Sequence, residues 1–348
     1  MSTAATVAPA PAAASPAPPR QARQRRWVFL HNGKSITGFV LLGFFLVLAV
    51  IGPAISPYDP SKIDVAHPLA RPSASHWLGT TALGQDVLSQ VLTGTRAVVI
   101  IGFSAGLVAT VLAVIIGVTA GYLGGAGDEI LSMLSNIFLV LPGIPLIIII
   151  TSQMQSRSRW AVILVIALTG WAWGSRVMRS QTLSLRNRDF VEAARANGES
   201  KARIIFFEII PNMTAIIASS FINTVLAAVA ALVMLSFLGV ISGNDWNWGT
   251  ILMQAQNNMA LPQGAWWWYV PAGLLVALLG MSLALINFGI DEFVNPRLRN
   301  TGMNAAVLRR RHIRPRVGFT PVVQEVRRRP PEAVVPPPQG PDGTGAAR

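Results

Sequence analysis

Cysteine is absent from all 348 residues, which excludes disulfides, zinc–thiolate centres and thiol catalysis and leaves the redox compartment unread. Charge is scarce too. Only 12% of the residues are Asp, Glu, Lys or Arg, against ~25% in an ordinary soluble chain. No Asp, Glu, Lys, Arg or His occurs within 97–126, 130–156, 160–175, 209–244 or 246–290. Ion-coupled carriers keep such groups at membrane depth for the coupling ion, so this lack argues against an ion-driven carrier. It argues equally against intramembrane proteolysis, which needs a catalytic dyad or metal ligands. No G-x-x-x-x-G-K-[ST] loop is present, so the chain carries no P-loop of its own for nucleotide phosphates.

What remains is apolar: 52% of the residues are hydrophobic, the composition of a polytopic membrane protein. Six spans are expected, at about 36–55, 97–123, 130–151, 160–173, 213–240 and 266–290, the fourth short and extendable to Val177. The net charge of +13 is concentrated between them. Arg20, Arg23, Arg25, Arg26 and Lys34 precede the first span, seven basic residues lie from Arg176 to Arg203, and eleven follow Asn295. By the positive-inside rule these regions are cytoplasmic, as are both termini, and 56–96 and 241–265 are external loops. Arg157 and Arg159 oppose this orientation weakly. No nucleic-acid motif accompanies the charge, so a nucleic-acid partner is not expected. Trp266, Trp267, Trp268 and Tyr269 mark the outer start of the sixth span. Residues 1–22, rich in Ala and Pro, resemble no signal peptide, and 1–35 and 300–348 read as disordered basic tails around a six-span domain at 36–299.

Small residues and prolines shape the spans. Gly117 and Gly121 stand four apart and allow close helix approach. Pro142 and Pro145 should kink the third span, either as a gate or to accommodate curvature.

The stretch EAARANGESKARIIFFEIIPN, residues 192–212, is the most charged part between the spans. Asp189 can cap a short helix with Glu192 three residues later. Ala193, Ala194 and Ala196 favour helix with a low profile, and Gly198 can end it in a left-handed cap. Ser200 can start a second helix, and Pro211 suits the first turn of the fifth span. Two short helices at a sharp turn form either a docking element for a cytosolic motor or an ordinary amphipathic loop on the membrane.

This stretch resembles the Glu-Ala-Ala motif of ABC importer permeases. Glu192, Ala193, Ala194, Gly198 and Pro211 match at the family's spacing, Ile210 replaces its usual Leu, and Glu208 departs from its pattern. HWLGTTALGQDVLSQVLTGTR, including Gly79, Asp86 and Arg96, is similar to the second permease of dipeptide, oligopeptide and nickel importers. So are LSFLG at 235–239, WGTIL at 248–252 with Trp248 and Gly249, and NPRLR at 295–299.

The resemblance covers about 36–299 and implies an all-α membrane protein of the type I ABC importer fold. It further implies a non-catalytic permease subunit in a bacterial plasma membrane that forms half of a path for peptides, or for nickel complexes or oligosaccharides. The implied partners are a second homologous permease, two ATPase subunits that use ATP and Mg, and an extracytoplasmic solute-binding protein. This chain itself would bind no cofactor and no metal. Asp189, Glu192, Ala193, Ala194, Gly198, Ile210 and Pro211 would couple to the ATPases through the loop 176–211. Gly79, Asp86, Arg96, Trp248 and Gly249 would belong to external docking loops. The rival readings are an ion-driven carrier and a membrane scaffold.

Overall fold

A backbone in hydrocarbon has no water to satisfy its N–H and C=O groups, so the long apolar runs close their hydrogen bonds within themselves as helices. The computed structural model describes residues 33–153, 159–241 and 246–294, with side chains to 292. The chain divides into two units, Met1–Asn295 and Pro296–Arg348, and the second lies outside the described residues. So do the basic tail up to 32, Arg157, and the NPRLR motif.

The long helices are α1 (Gly33–Ile55), α2 (Val87–Leu123), α3 (Gly125–Val140), α4 (Gly143–Gln153) and α5 (Arg159–Leu185). After them come short α6 (Asp189–Ala196) and α7 (Lys201–Arg203), a π-helical turn at Ile204–Ile209, and α8 (Ile210–Asn212). The chain closes with α9 (Thr214–Phe237), α10 (Trp248–Asn257) and α11 (Trp266–Val294). Five helices are long and apolar enough to cross a membrane, and α3 with α4 makes a sixth crossing if the pair is one span.

Three expected spans come out differently. The second begins ten residues earlier, at Val87, because Asp86 caps it: Asp86 Oδ2 accepts from the Ser89 N–H at 2.8 Å and from its hydroxyl at 2.7 Å. Hydropathy missed this first stretch because Ser89, Gln90 and Thr95, although polar, are buried inside the protein rather than in lipid. The third is a break, not a kink. α3 and α4 meet at 88°, with Pro142 in the two-residue gap and Pro145 in the first turn of α4, where its missing N–H costs no helical bond. The fourth runs on to Leu185, so much of its basic end is helix rather than loop.

α2 is the axis of the fold, with α5 along one side and α9 along another. Gly117 and Gly121 allow this. A β-carbon on Gly121 would stand 2.8 Å from the Arg179 carbonyl oxygen, and one on Gly117 would collide with that of Ser175. The close approach expected of this pair is thus the α2–α5 contact. α1 packs on α2 and α11, where the Ser282 hydroxyl donates to the Gly38 carbonyl at 2.9 Å.

Candidate functional site

α6 starts one residue earlier than expected. Arg188 is its N-cap, in extended conformation and without a side-chain bond, and the Glu192 N–H donates to the Arg188 carbonyl at 3.1 Å. Asp189 therefore enters the helix and does not cap it. Its carboxylate and that of Glu192 still lie in the first turn, where the helix dipole favours negative charge. The other end forms as its residues dictate. Gly198 takes φ +77, and the Gly198 N–H donates to the Arg195 carbonyl at 3.0 Å. Ser200 then caps the next turn, accepting from the Arg203 N–H at 3.4 Å. Helical backbone continues through the π turn and α8, with Pro211 in its first turn, to Met213 just before α9.

The inner face of this element seats on the ends of α2 and α5. Val191, Ala194, Ile204, Ile209 and Met213 form one buried cluster with Val118 and Tyr122 of α2 and Met178 of α5. The Arg195 guanidinium lies 5.3 Å from the centre of the Tyr122 ring. Beneath it, the Arg186 Nη1–H donates to the Gly121 carbonyl at 3.1 Å. Arg179 grips Asp128 of α3 with both arms of its fork, at 2.5 and 2.7 Å.

The seven expected coupling residues do not share one face. Ala194 is buried and packs inward, and Ile210 is half-buried. Asp189, Glu192, Ala193, Gly198 and Pro211 are exposed. Phe206 and Phe207 of the π turn are 62% and 70% exposed, although neither was expected among the coupling residues.

The loops expected outside the membrane differ again. Of the five residues expected to form docking surface, Gly79, Asp86, Trp248 and Gly249 are buried, and only Arg96 is exposed. The four shape the loops rather than present them. Gly79 has φ +65 beside Trp267. Asp86 Oδ1 lies 2.9 Å from His76 Nδ1. The Trp248 indole N–H donates to the Thr95 hydroxyl at 3.2 Å, and its ring packs edge-on to Phe45. Gly249 sits against Val233 and Ser236 of α9. Asn247 and Thr250 cap α10 reciprocally. In the same loop region, a hydrogen bond from His67 holds the Asp64 carboxyl below its usual range.

The loops and α6 sit at opposite ends of α2. From Arg96 to Val118 is 22 positions, about 33 Å of helix, close to a hydrocarbon core of ~30 Å.

An all-helical bundle of five or six spans, with a small helical element seated on one end of its axis and folded loops on the other, is a polytopic transport subunit of the type I ABC importer fold. The chain belongs to the family of binding-protein-dependent transport system inner membrane components, which matches residues 113–300. Residues 21–72 match the N-terminal transmembrane domain of oligopeptide transport permease C. Similar proteins include the oligopeptide transport system permease protein OppC of Mycobacterium tuberculosis, 34% identical over 78% of this chain and 93% of that protein. The dipeptide transport system permease protein DppC of Bacillus subtilis is 31% identical over 79% of this chain and 86% of its own length.

Proposed function

We propose that this chain is one of two permease subunits of an ATP-driven peptide importer. The observation that carries the reading is the divided face of α6: Val191 and Ala194 fasten it to the bundle, while Glu192, Ala193 and Gly198 stay exposed. Force applied to the outer face passes through a packed cluster into α2 and α5. The related permeases named for oligopeptides and dipeptides favour peptides as cargo.

In this reading two ATPase subunits, which use ATP and Mg, receive α6 in a groove, and ATP-driven closure switches the bundle between inward- and outward-facing states. A second, homologous permease completes the path. An extracytoplasmic binding protein delivers cargo to the loops 56–96 and 241–265. The basic regions support a cytoplasmic position for both termini and α6. This chain contributes no catalytic group, cofactor site or metal site. The break at Pro142 and Pro145 lets α3 and α4 move as separate rods and act as a gate.

Co-expression with tagged ATPase subunits tests the assembly. The expected result is co-purification of two ATPases and a second permease, with ATP-dependent peptide uptake after reconstitution. A chain that inserts normally but copurifies with neither overturns the reading.

A further inference from the structure

Four of the five residues expected to form docking surface are buried, and other side chains cover the loop between α1 and α2. Ile63, Val65, Trp77 and Leu83 are between 55% and 87% exposed, Val65 the most. Their backbone is held firmly. The Asp64 N–H donates to the Leu83 carbonyl at 3.2 Å, which brings Ile63, Val65 and Leu83 together. Asp64 Oδ1 accepts from the Ala66 N–H at 3.0 Å. The Thr80 hydroxyl donates to the His67 carbonyl at 2.6 Å and accepts from the Ala70 N–H at 2.8 Å. Trp77 follows His76, whose ring lies 6.2 Å from that of His67, and whose Nδ1 is 2.9 Å from the Asp86 carboxylate.

We propose that Ile63, Val65, Trp77 and Leu83 form an apolar landing surface for the extracytoplasmic binding protein, so that docking rests on aliphatic and aromatic contact rather than on ion pairs. This rests on the peptide-import reading and names the side chains that receive the partner. Exposed aliphatic groups on an ordered loop give up free energy to water that a soluble partner recovers by covering them. The loop is already in place, so little ordering opposes the contact. Tryptophan is favoured where an interface concentrates its energy. Lipid ends short of this surface. The loop enters α2 at Val87, nine positions before Arg96. That is roughly 14 Å of helix, or ~13 Å at a tilt of ~20°, against a headgroup layer of about 5–8 Å on each side. Charge offers no equivalent contact. The loop 56–86 carries Asp59, Lys62, Asp64, Arg71 and Asp86. Asp86 is buried and Asp64 is bonded to His67. Asp59, Lys62 and Arg71 are of mixed sign and make no one-sided field.

The test uses the complex with its partner permease and ATPases in nanodiscs, and a binding protein selected because it stimulates ATP hydrolysis by the unaltered complex. Docking affinity is measured by biolayer interferometry at low and high salt. It is expected to change less than about threefold, because apolar contact is not screened. Trp77→Ala should weaken docking at least about tenfold. Val65→Lys, which places a charge in the contact, should do the same. Val65 is so exposed that its exchange leaves the fold intact, and it keeps the test open if Trp77→Ala fails to assemble. Val50→Ala, at a comparably exposed position on α1 within the first expected span, should leave docking unchanged. A tenfold or greater loss with salt in the unaltered complex overturns the landing surface, and so does undiminished docking by the Trp77→Ala/Val65→Lys variant. Loss of the second permease from the Val65→Lys complex assigns the surface to that subunit and overturns it too. The chain has no cysteine, so a spin label on Val65→Cys reports its surroundings directly. Access to a water-soluble relaxant, lost when the binding protein docks, is the expected result, and a label immersed in lipid overturns the proposal. ATP-dependent peptide uptake reads the import function separately. Uptake with docking unaffected by the variants sinks the landing surface alone, and failure to find any binding protein that stimulates hydrolysis sinks the import reading.

Discussion

At the scale of single residues, the α2–α5 contact depends on what Gly117 does not carry. A β-carbon there would meet the Ser175 carbonyl oxygen and lie 2.8 Å from the Met178 β-carbon. Backbone on the facing helix cannot yield as a side-chain tip can. Gly117→Ala should therefore destabilise the protein by about 1–3 kcal/mol. Gly273, in α11, has nothing within 4 Å of the same construction. Gly273→Ala should be neutral, or stabilising by up to ~1 kcal/mol from helix propensity. Thermal unfolding of the two variants in one detergent checks the pair, and equal midpoints would remove the close-packing argument. The Asp128–Arg179 pair is a second residue-scale case. Its side chains are 16% and 35% exposed, so water screens part of its strength. Asp128→Asn should cost about 1 kcal/mol and loosen α3 from α5. The Asp128→Asn/Arg179→Gln pair should cost less than the sum of the two single changes, and a double-mutant cycle with no coupling would show the contact to be incidental.

At the scale of elements, α6 sets two neighbouring alanines against each other. Ala194 is in the buried cluster and Ala193 is exposed. Ala194→Leu should overpack the seat on α2 and α5 and lower the stability of the chain itself by about 1–3 kcal/mol. Ala193→Leu should leave that stability unchanged yet impair coupling, measured as uptake lost while the ATPases still turn over. The reverse pattern would place the ATPase on the other face. Gly198→Val separates backbone from space: nothing lies within 4 Å of its β-carbon, but φ is +77, so its cost of ~1 kcal/mol or more is conformational. It should alter coupling while insertion stays normal. The sequence made this element legible because caps and turns are local: Gly198 and Ser200 act within three residues of themselves. The division of its alanines was not legible, because it depends on Tyr122 and Met178, distant in sequence. The same limit explains the external loops. Asp86 and Trp248 belong to recognisable motifs, but a motif does not say whether its residues face a partner or hold a loop together.

At the scale of the whole molecule, the six expected spans carry no Asp, Glu, Lys, Arg or His. The hydroxyls within the spans do not change that balance. Thr169 donates to Val165 and Ile166, Thr224 to Ser220, and Ser135 to Leu131, all within their own helices. A path with such walls holds no strong site for a particular side chain or a metal ion. Choice among peptides then falls to the protein that delivers them. Pairing this permease and its ATPases with a related binding protein of different peptide preference should make uptake follow the binding protein. The hybrid must first be shown to dock, by stimulation of ATP hydrolysis. If it docks and stimulates but the new peptide is refused, a selective site exists within the spans.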